Sequence, residues 1–213
     1  MTRPVPATVA DLLLARSLDV ALQSCLDPAA LQWLGESTAA VYADTTALAT
    51  VFPVARRRCG GTPLPGWWGW SRADGARAVL LSSTALDGPE LADTVLRLYR
   101  DGGADERHGV LRALPFLPLG DRALPVVDDA LRTNDTRLIG AALGPYARAH
   151  LDQHRWRQAV LKCLFTGIPL SRVAGLDERR DAELAAMGRM FARERRAAGR
   201  PVPEDVWLIV RPV

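Results

Sequence analysis

The sequence predicts an all-α protein. Apolar residues recur at three- and four-residue spacing along nearly the whole chain, and no segment alternates apolar and polar residues with period two. Asp, Gly and Pro punctuate it into segments of ~10–18 residues, the signals that start and stop helices. Segments of that length joined by short turns suggest a HEAT-like solenoid of helical pairs, with an irregular helical bundle as the alternative. The tetrapeptide RALP occurs at Arg112–Pro115 and again at Arg122–Pro125. That spacing is too short for a helical-pair period, so it is not counted as a repeat.

A first helix is read from about Thr8, with Leu14, Leu18, Leu22 and Cys25 along one face. Asp27-Pro28 resets the chain, because Asp is a good N-cap and Pro suits the first helical position. The next helix presents Leu31, Leu34, Thr38 and Val41, and Asp44 opens a third that ends near Cys59-Gly60-Gly61. Residues 60–71 read GGTPLPGWWGWS; Pro63 and Pro65 forbid a regular helix and four glycines loosen the backbone. Helices resume over about Asp74–Ala85 and again from Asp87-Gly88-Pro89, with Leu91, Val95 and Leu98 inward. Asp105 is expected to cap a helix carrying Val110, Leu111 and Leu114. An antiparallel pair is expected over Asp121–Arg132 and Thr136–His150. The last third gives a helix from about Asp152 to Phe165, with Trp156, Val160, Leu161, Leu164 and Phe165 on one broad face. A long helix follows from Glu178 to Ala198, capped by Asp177, stopped by Gly199 and striped with Leu184, Met187 and Phe191.

The chain has 213 residues, enough for a substantial core, and reads as a single all-helical domain over 1–213. Hydrophobic residues make up 48% and charged residues 24% with both signs mixed, which excludes a disordered chain. The net charge of +3 is small and no basic stripe with interleaved aromatics is visible, so nucleic acid is not an expected partner. Lys162 is the only lysine among abundant Arg, Ala, Gly and Pro, the composition of a GC-rich genome. Cys25, Cys59 and Cys163 are far apart and fit neither a zinc pattern nor a disulfide framework, which points to a reducing cytoplasm. The Leu12-Leu13-Leu14 cluster is interrupted by charge and too short for a signal peptide, and no apolar run approaches a membrane span. GxSxG, P-loop and GxGxxG motifs are all missing, so no cofactor is expected. Asp128-Asp129 reads as solubility charge, and His108 stands alone.

Chemistry concentrates in residues 144–200. Arg155, Gln158 and Lys162 fall three and four apart, opposite the apolar face of their helix, as one polar ridge facing solvent or a groove with another helix. Glu194 and Arg195 flank the apolar stripe of the long helix, and a carboxylate there needs a cation from Arg195, another arginine or Lys162. Two readings stand side by side: a structural ion-pair network that fixes helix register, or a site for a polar ligand group. His150 and His154 are four apart with Asp152 between, and Asp181 or Glu194 could serve as a third ligand. The set lacks the HExxH glutamate, and Asp152 would break the shared face, so no metal site is assigned. Trp67, Trp68 and Trp70 cannot all point inward. They form either a lid or contact surface for a ligand, membrane or partner protein, or a loop that folds back over one end of the helices.

The segments GPYARAHLDQHRWRQAVLKCLF, GLDERRDAEL and ERRAAGR resemble the C-terminal region of the EboA family, and DERHGVLRALPFLPLG upstream is similar to its helical region. The likeness runs from roughly Asp105 to Arg200. It implies a protein of the ebo clusters of bacteria and algal plastids, which also encode a prenyltransferase-like membrane protein and enzyme-like soluble proteins. It further implies a part in moving a small-molecule, lipid-like precursor out of the cytoplasm. His150, Asp152, Gln158, Lys162, Asp177, Arg179, Asp181, Glu194, Arg195 and Arg200 occupy the motif positions; the family supplies no catalytic residues, and the Trp-rich loop lies outside its pattern.

The expectation is therefore a non-enzymatic protein that binds or scaffolds a metabolite during export. Its ligand-binding residues would be Gln158, Lys162, Asp181, Glu194, Arg195 and Arg200 with Trp67, Trp68 and Trp70. Its partners would be the metabolite and other ebo-cluster proteins, with no transmembrane segment and membrane contact limited to the periphery. Two alternatives belong to other classes: an interaction module anchored by Trp67–Trp70, and a metal-dependent enzyme using His150 and His154.

Overall fold

The computed structural model describes residues 9–211. Among them the regular structure is helical, with one isolated bridge between Pro63 and Ser71 and no β-strand. The helices are α1 (Val9–Cys25), α2 (Pro28–Ala43), α3 (Leu48–Cys59), α4 (Arg72–Ser82), α5 (Gly88–Asp101), α6 (Ala104–Ala113), α7 (Leu124–Arg132), α8 (Thr136–Ala142), α9 (Pro145–His150), α10 (Gln153–Thr166), α11 (Leu176–Arg179), α12 (Ala182–Ala197) and α13 (Val206–Val210). The all-α class holds. The chain divides into two compact units, residues 1–126 and 127–213.

The first unit is built round α4, on which α1, α2, α3 and α6 pack. That is a bundle about a central helix, and no stacked-pair repeat is needed to describe it. Ala73, Gly75, Ala76 and Ala78 leave α4 thin enough to be approached from several sides. A Cβ on Gly75 would lie 3.0 Å from side-chain carbons of Leu22 and Leu64. Two charged residues of α4, Asp74 and Arg77, are buried with its alanines and leucines. In the second unit Trp156 is fully buried on α10, with Leu138 and Ile139 of α8 and Leu184 of α12 in the core. The short α13 packs on α12 at Gly188, where a Cβ would meet Ile209 at 2.9 Å.

Several boundaries differ from the sequence expectation. The helix expected from Glu178 to Ala198 is two: α11 ends at Arg179, and Asp181 caps α12 by accepting from Leu184 N at 2.9 Å. Asp177 thus sits in the first turn of α11. Asp181 wins because side chains of α10 hold its carboxylate there. Thr136–His150 is also split, since Pro145 follows Gly144 and begins α9. Gly103, not Asp105, is the N-cap of α6, with the Glu106 carboxylate accepting its backbone N–H. Phe165 is largely exposed rather than inward, stacked edge-on against Phe191 at 4.7 Å. In α2 the buried positions are Ala30, Leu34, Ser37 and Val41, one residue round from Leu31 and Thr38. Asp27 and Gly199 behave as expected: Asp27 accepts from Ala30 N, and Gly199 adopts φ +64° after α12.

A Cβ on Gly109 of α6 would lie 2.5 Å from Cδ of the buried Arg77. Neither side can give way easily. Gly109→Val should lower unfolding free energy by about 2–3 kcal/mol, despite the gain over glycine in helix propensity. Chemical denaturation checks this; a variant as stable as the parent would show that α4 and α6 are not packed this closely.

Candidate functional site

Half of the expected ligand residues of the second unit, Lys162, Asp181 and Arg195, are engaged with the protein itself. The C-terminal end of α9 leaves carbonyls without helical partners. Arg179 donates to Arg148 O at 3.1 Å and Leu151 O at 2.7 Å, and adds a bond at 3.0 Å to Ala147 O, which also accepts from Leu151 N. Its guanidinium also donates to Gln153 Oε1 and lies 4.9 Å above the Trp156 ring. Burial pushes its pKa below the ordinary arginine value. Gln153 in turn donates to Arg179 O and to Asp181 Oδ2. Asp181 takes a two-pronged pair from Arg157, at 2.6 Å for the shorter prong, while Arg157 reaches Glu183 as well. The Arg157 hydrogen bond, then the Leu184 and Gln153 bonds, hold the Asp181 carboxyl down at about 2 against the opposing effect of burial. Lys162 takes the second of its two expected settings: its ammonium reaches the end of α7 and donates to Leu131 O at 2.5 Å and Thr133 O at 2.7 Å. Asp128 pairs with Arg155 at 2.7 Å rather than serving solubility alone.

The remaining expected residues lie apart from that network. Gln158, Glu194 and Arg200 are exposed. Arg195 donates to Pro201 O at 2.8 Å and lies over the Phe191 ring, so Glu194 does not take it as a partner. His150 closes α9 and stacks on Tyr146 at 4.6 Å, whereas His154 belongs to α10. Leu151 and the capping Asp152 separate them, so the i, i+4 face is broken. Among the described residues no group of three or more His, Cys, Asp or Glu side chains is placed to hold a metal.

A different set of side chains lines an open groove of about 460 Å³ beside α12 and α13, within the range of small-molecule sites. Arg189, Arg193 and Arg196 lie at i, i+4 and i+7 of α12, one face of the helix. Met190, Trp207 and Val210 supply its apolar surface, and Met190 is 53% exposed. The Arg196 guanidinium sits 5.5 Å over the Trp207 ring. None of the three arginines makes an ion pair or hydrogen bond among the described residues. The groove wall is fixed: Asp205 accepts from Leu170 N at 2.6 Å ahead of α13, and Arg180 reaches Leu208 O and Arg211 O at its end. The sequence reading missed this set; the i, i+4, i+7 arginines were its available signal, and only the return of Trp207 completes the groove.

In the first unit the Trp-rich loop is ordered by two successive turns, Trp67 N to Leu64 O and Trp70 N to Trp67 O. Gly66 and Gly69 have φ +75° and +74° at the third position of each, as type II turns require. Trp67 and Trp70 meet edge-on at 4.9 Å and both contact Phe116. Arg112 donates to Gly69 O at 3.1 Å and lies 5.7 Å over Trp70. Trp68 is 63% exposed. His108 does not stand alone: its Nδ1 is 3.1 Å from Asp74 Oδ1, while Asp74 Oδ2 accepts from Ser71 N and Oγ. Burial pushes the Asp74 carboxyl up, but the His108 and Ser71 bonds outweigh it and its pKa falls below the ordinary value. Arg77 donates to Phe52 O and Asp105 O beneath this pair.

A family model described as Metabolite traffic protein EboA matches residues 55–211. The match reaches further toward the N-terminus than the motifs from Asp105 and includes the Trp-rich loop. No curated protein and no solved structure matches the chain.

Two outcomes separate a structural network from a binding site. Arg179→Ala orphans carbonyls near Trp156 and should cost about 3 kcal/mol; Arg179→Lys should recover little, because an ammonium lacks the planar fork. Thermal unfolding reads both, and full rescue by lysine would contradict the geometry. Asp74 and Asp181 both titrate lower in the folded chain than the ordinary ~4 of the unfolded one. Their stabilisation is therefore complete above pH ~4; that of Asp181 is lost as pH falls toward about 2, and that of Asp74 is lost as pH falls below the ordinary range. Asp181→Asn should be less stable than the parent at neutral pH and flatter in stability below pH ~4, as urea titrations across that range would show.

Proposed function

The chain belongs to the EboA family, whose model is described as that of a metabolite traffic protein, and from that premise we propose that it binds a small amphipathic anion in the α12–α13 groove and hands it on unchanged. The observation that carries this reading is the arginine face beside Trp207. Three guanidiniums of one sign share a groove with Met190, Trp207 and Val210, and no carboxylate of the protein pairs with them among the described residues. Guanidiniums match carboxylate or phosphate oxygens two at a time, while an indole and a thioether cover a flat or flexible hydrocarbon portion.

Carriage rather than conversion is supported by where these reactive groups are. Asp181 is an N-cap held by two side chains, and Lys162 is held by two carbonyls. Burial raises the Cys163 thiol to about 12 and the Cys59 thiol to about 11, far from the thiolate a nucleophile needs. Of the expected ligand-binding residues, Lys162 is committed to the end of α7, which moves the proposal to Arg189, Arg193 and Arg196 of α12.

Calorimetric titration with decyl phosphate, with decanol as the uncharged control, tests the groove. Saturable binding of the phosphate alone is expected. Arg193→Glu with Arg196→Glu should weaken it about tenfold or more, since two exposed ion pairs of roughly 0.2–1 kcal/mol each are replaced by repulsion. Trp207→Ala should weaken it less. Unchanged affinity in the double arginine variant would remove the groove as the site.

A further inference from the structure

The α12–α13 groove carries more positive charge than a single acidic group can use. Arg189, Arg193 and Arg196 stand in a row along α12, and all three are exposed. At roughly 1.5 Å per residue the row is about 10 Å long. Cations three and four residues apart repel one another and weaken a helix unless anions lie between them. The carboxylates of this region do not supply those anions. Glu194 is one residue from Arg193, two from Arg196 and five from Arg189, spacings that keep it off their face. Glu183 pairs with Arg157, Asp205 accepts from Leu170 N, and α13 has no acidic residue. The carboxylate of Glu204, exposed ahead of α13, makes no ion pair or hydrogen bond among the described residues. The negative end of the helix dipole favours Arg196 in the last turn, but its effect does not reach back to Arg189 and Arg193.

We propose that the groove takes a diphosphate monoester of a hydrocarbon, an assignment that rests on the reading of the groove as an anion site and adds its head group. Two consecutive phosphoryl groups lie along the arginine row, and the apolar portion lies against Met190, Trp207 and Val210. Length is the first reason. The row is far longer than one phosphoryl group, and its ends are not free to converge. The Arg196 guanidinium is stacked 5.5 Å over the Trp207 ring, and drawing Arg189 toward it brings like charges together. Two phosphoryl groups in series reach along the row instead. Charge is the second reason. A phosphate monoester brings close to two negative charges at neutral pH and three acceptor oxygens, which suits two guanidinium forks. A second phosphoryl group adds the charge and the oxygens that the third fork needs.

The other wall of the groove decides what the diphosphate is attached to. α13 reads VWLIV, and its only side-chain polar group is the indole N–H. A nucleoside would gain few hydrogen bonds from it, whereas a hydrocarbon gains burial. A nucleic-acid strand would need aromatic platforms in succession, and the groove has one indole.

Calorimetric titration of the full chain with decyl diphosphate, decyl phosphate, ADP and a thymidine oligonucleotide tests the head group. Decyl diphosphate should bind about fivefold tighter than decyl phosphate, the gain from one more exposed ion pair. Its affinity should also fall more steeply with salt. ADP and the oligonucleotide should bind at least about tenfold more weakly than decyl diphosphate, for want of buried methylenes. Arg189→Gln and Arg196→Gln keep the helix-forming tendency of arginine. Each should weaken decyl diphosphate about fivefold, and at least one should leave decyl phosphate within about twofold of the parent. Equal affinity for the two esters, or diphosphate affinity untouched by either variant, would overturn the assignment while leaving the groove an anion site. Binding of neither ester would remove the groove itself, and the head group with it. ADP or the oligonucleotide binding as tightly as decyl diphosphate would give the row to a nucleotide or a nucleic acid and overturn the assignment too.

Discussion

The constraint on which the rest of the structure depends is the satisfaction of helix ends. The thirteen α-helices among the described residues have many termini, and each terminus leaves backbone donors or acceptors without helical partners. Several N-terminal ends are met by carboxylates: Asp27, Asp44, Asp135, Asp152 and Asp181 all accept backbone N–H groups of the helices or turns they open. Several C-terminal ends are met by cations. Arg107 reaches carbonyls at the end of α5, Lys162 those of α7, and Arg179 those of α9. A guanidinium has five donors in a flat fork, so one arginine can close several carbonyls at once. The cations also face the negative ends of the helix dipoles. Genomic composition is enough to supply arginines, but the geometry shows what many of them do.

This constraint also explains why the polar block of the last third is organised as it is. Arg179, Gln153, Asp181 and Arg157 form one connected set in which each member holds the next. Half-buried polar groups of this kind are stabilising only when fully paired, because an orphaned member costs more than a complete pair gains. Motif residues of this block therefore carry fold information first. The arginines left over are the informative ones. Arg189 and Arg193 lie mid-helix, where no carbonyl is vacant, and Arg196 is turned onto Trp207.

Much of the fold was legible in the sequence because its signals were local. Asp27-Pro28, Asp44, Asp152 and Gly199 mark helix boundaries by their own chemistry, and the all-α class follows from periodicity over the chain. What escaped was decided by contacts distant in sequence. The choice between Asp177 and Asp181 as a cap depends on Arg157 and Gln153, some twenty-five residues upstream. The burial of Asp74 and Arg77 in α4 was hidden because alanines give a weak periodic signal, and because His108, Phe52 and Asp105 supply the partners from other helices. The candidate site was less legible than the fold. Periodicity showed Lys162 and Glu194 as polar residues beside apolar ones, but not that Leu131 and Thr133 already occupy the lysine. Nor could it show that Trp207 returns to face Arg196.

The division between committed and uncommitted cations bears on what kind of binding the proposed groove can support. A carrier must let go of its cargo, so its charges should be exposed enough to exchange partners quickly. Arg179 is unsuited: it is bonded to three carbonyls and stacked on a buried indole, and releasing it would cost stability. Arg189, Arg193 and Arg196 are exposed, and water and salt screen them. Exposed pairs of this sort contribute roughly 0.2–1 kcal/mol each when single. Useful affinity then requires the apolar surface of Met190, Trp207 and Val210 to add its share, and the anion and the hydrocarbon must bind together. Selectivity for amphipathic anions over plain phosphate, with rapid release, is the behaviour that follows from placing the uncommitted arginines beside an exposed indole and thioether.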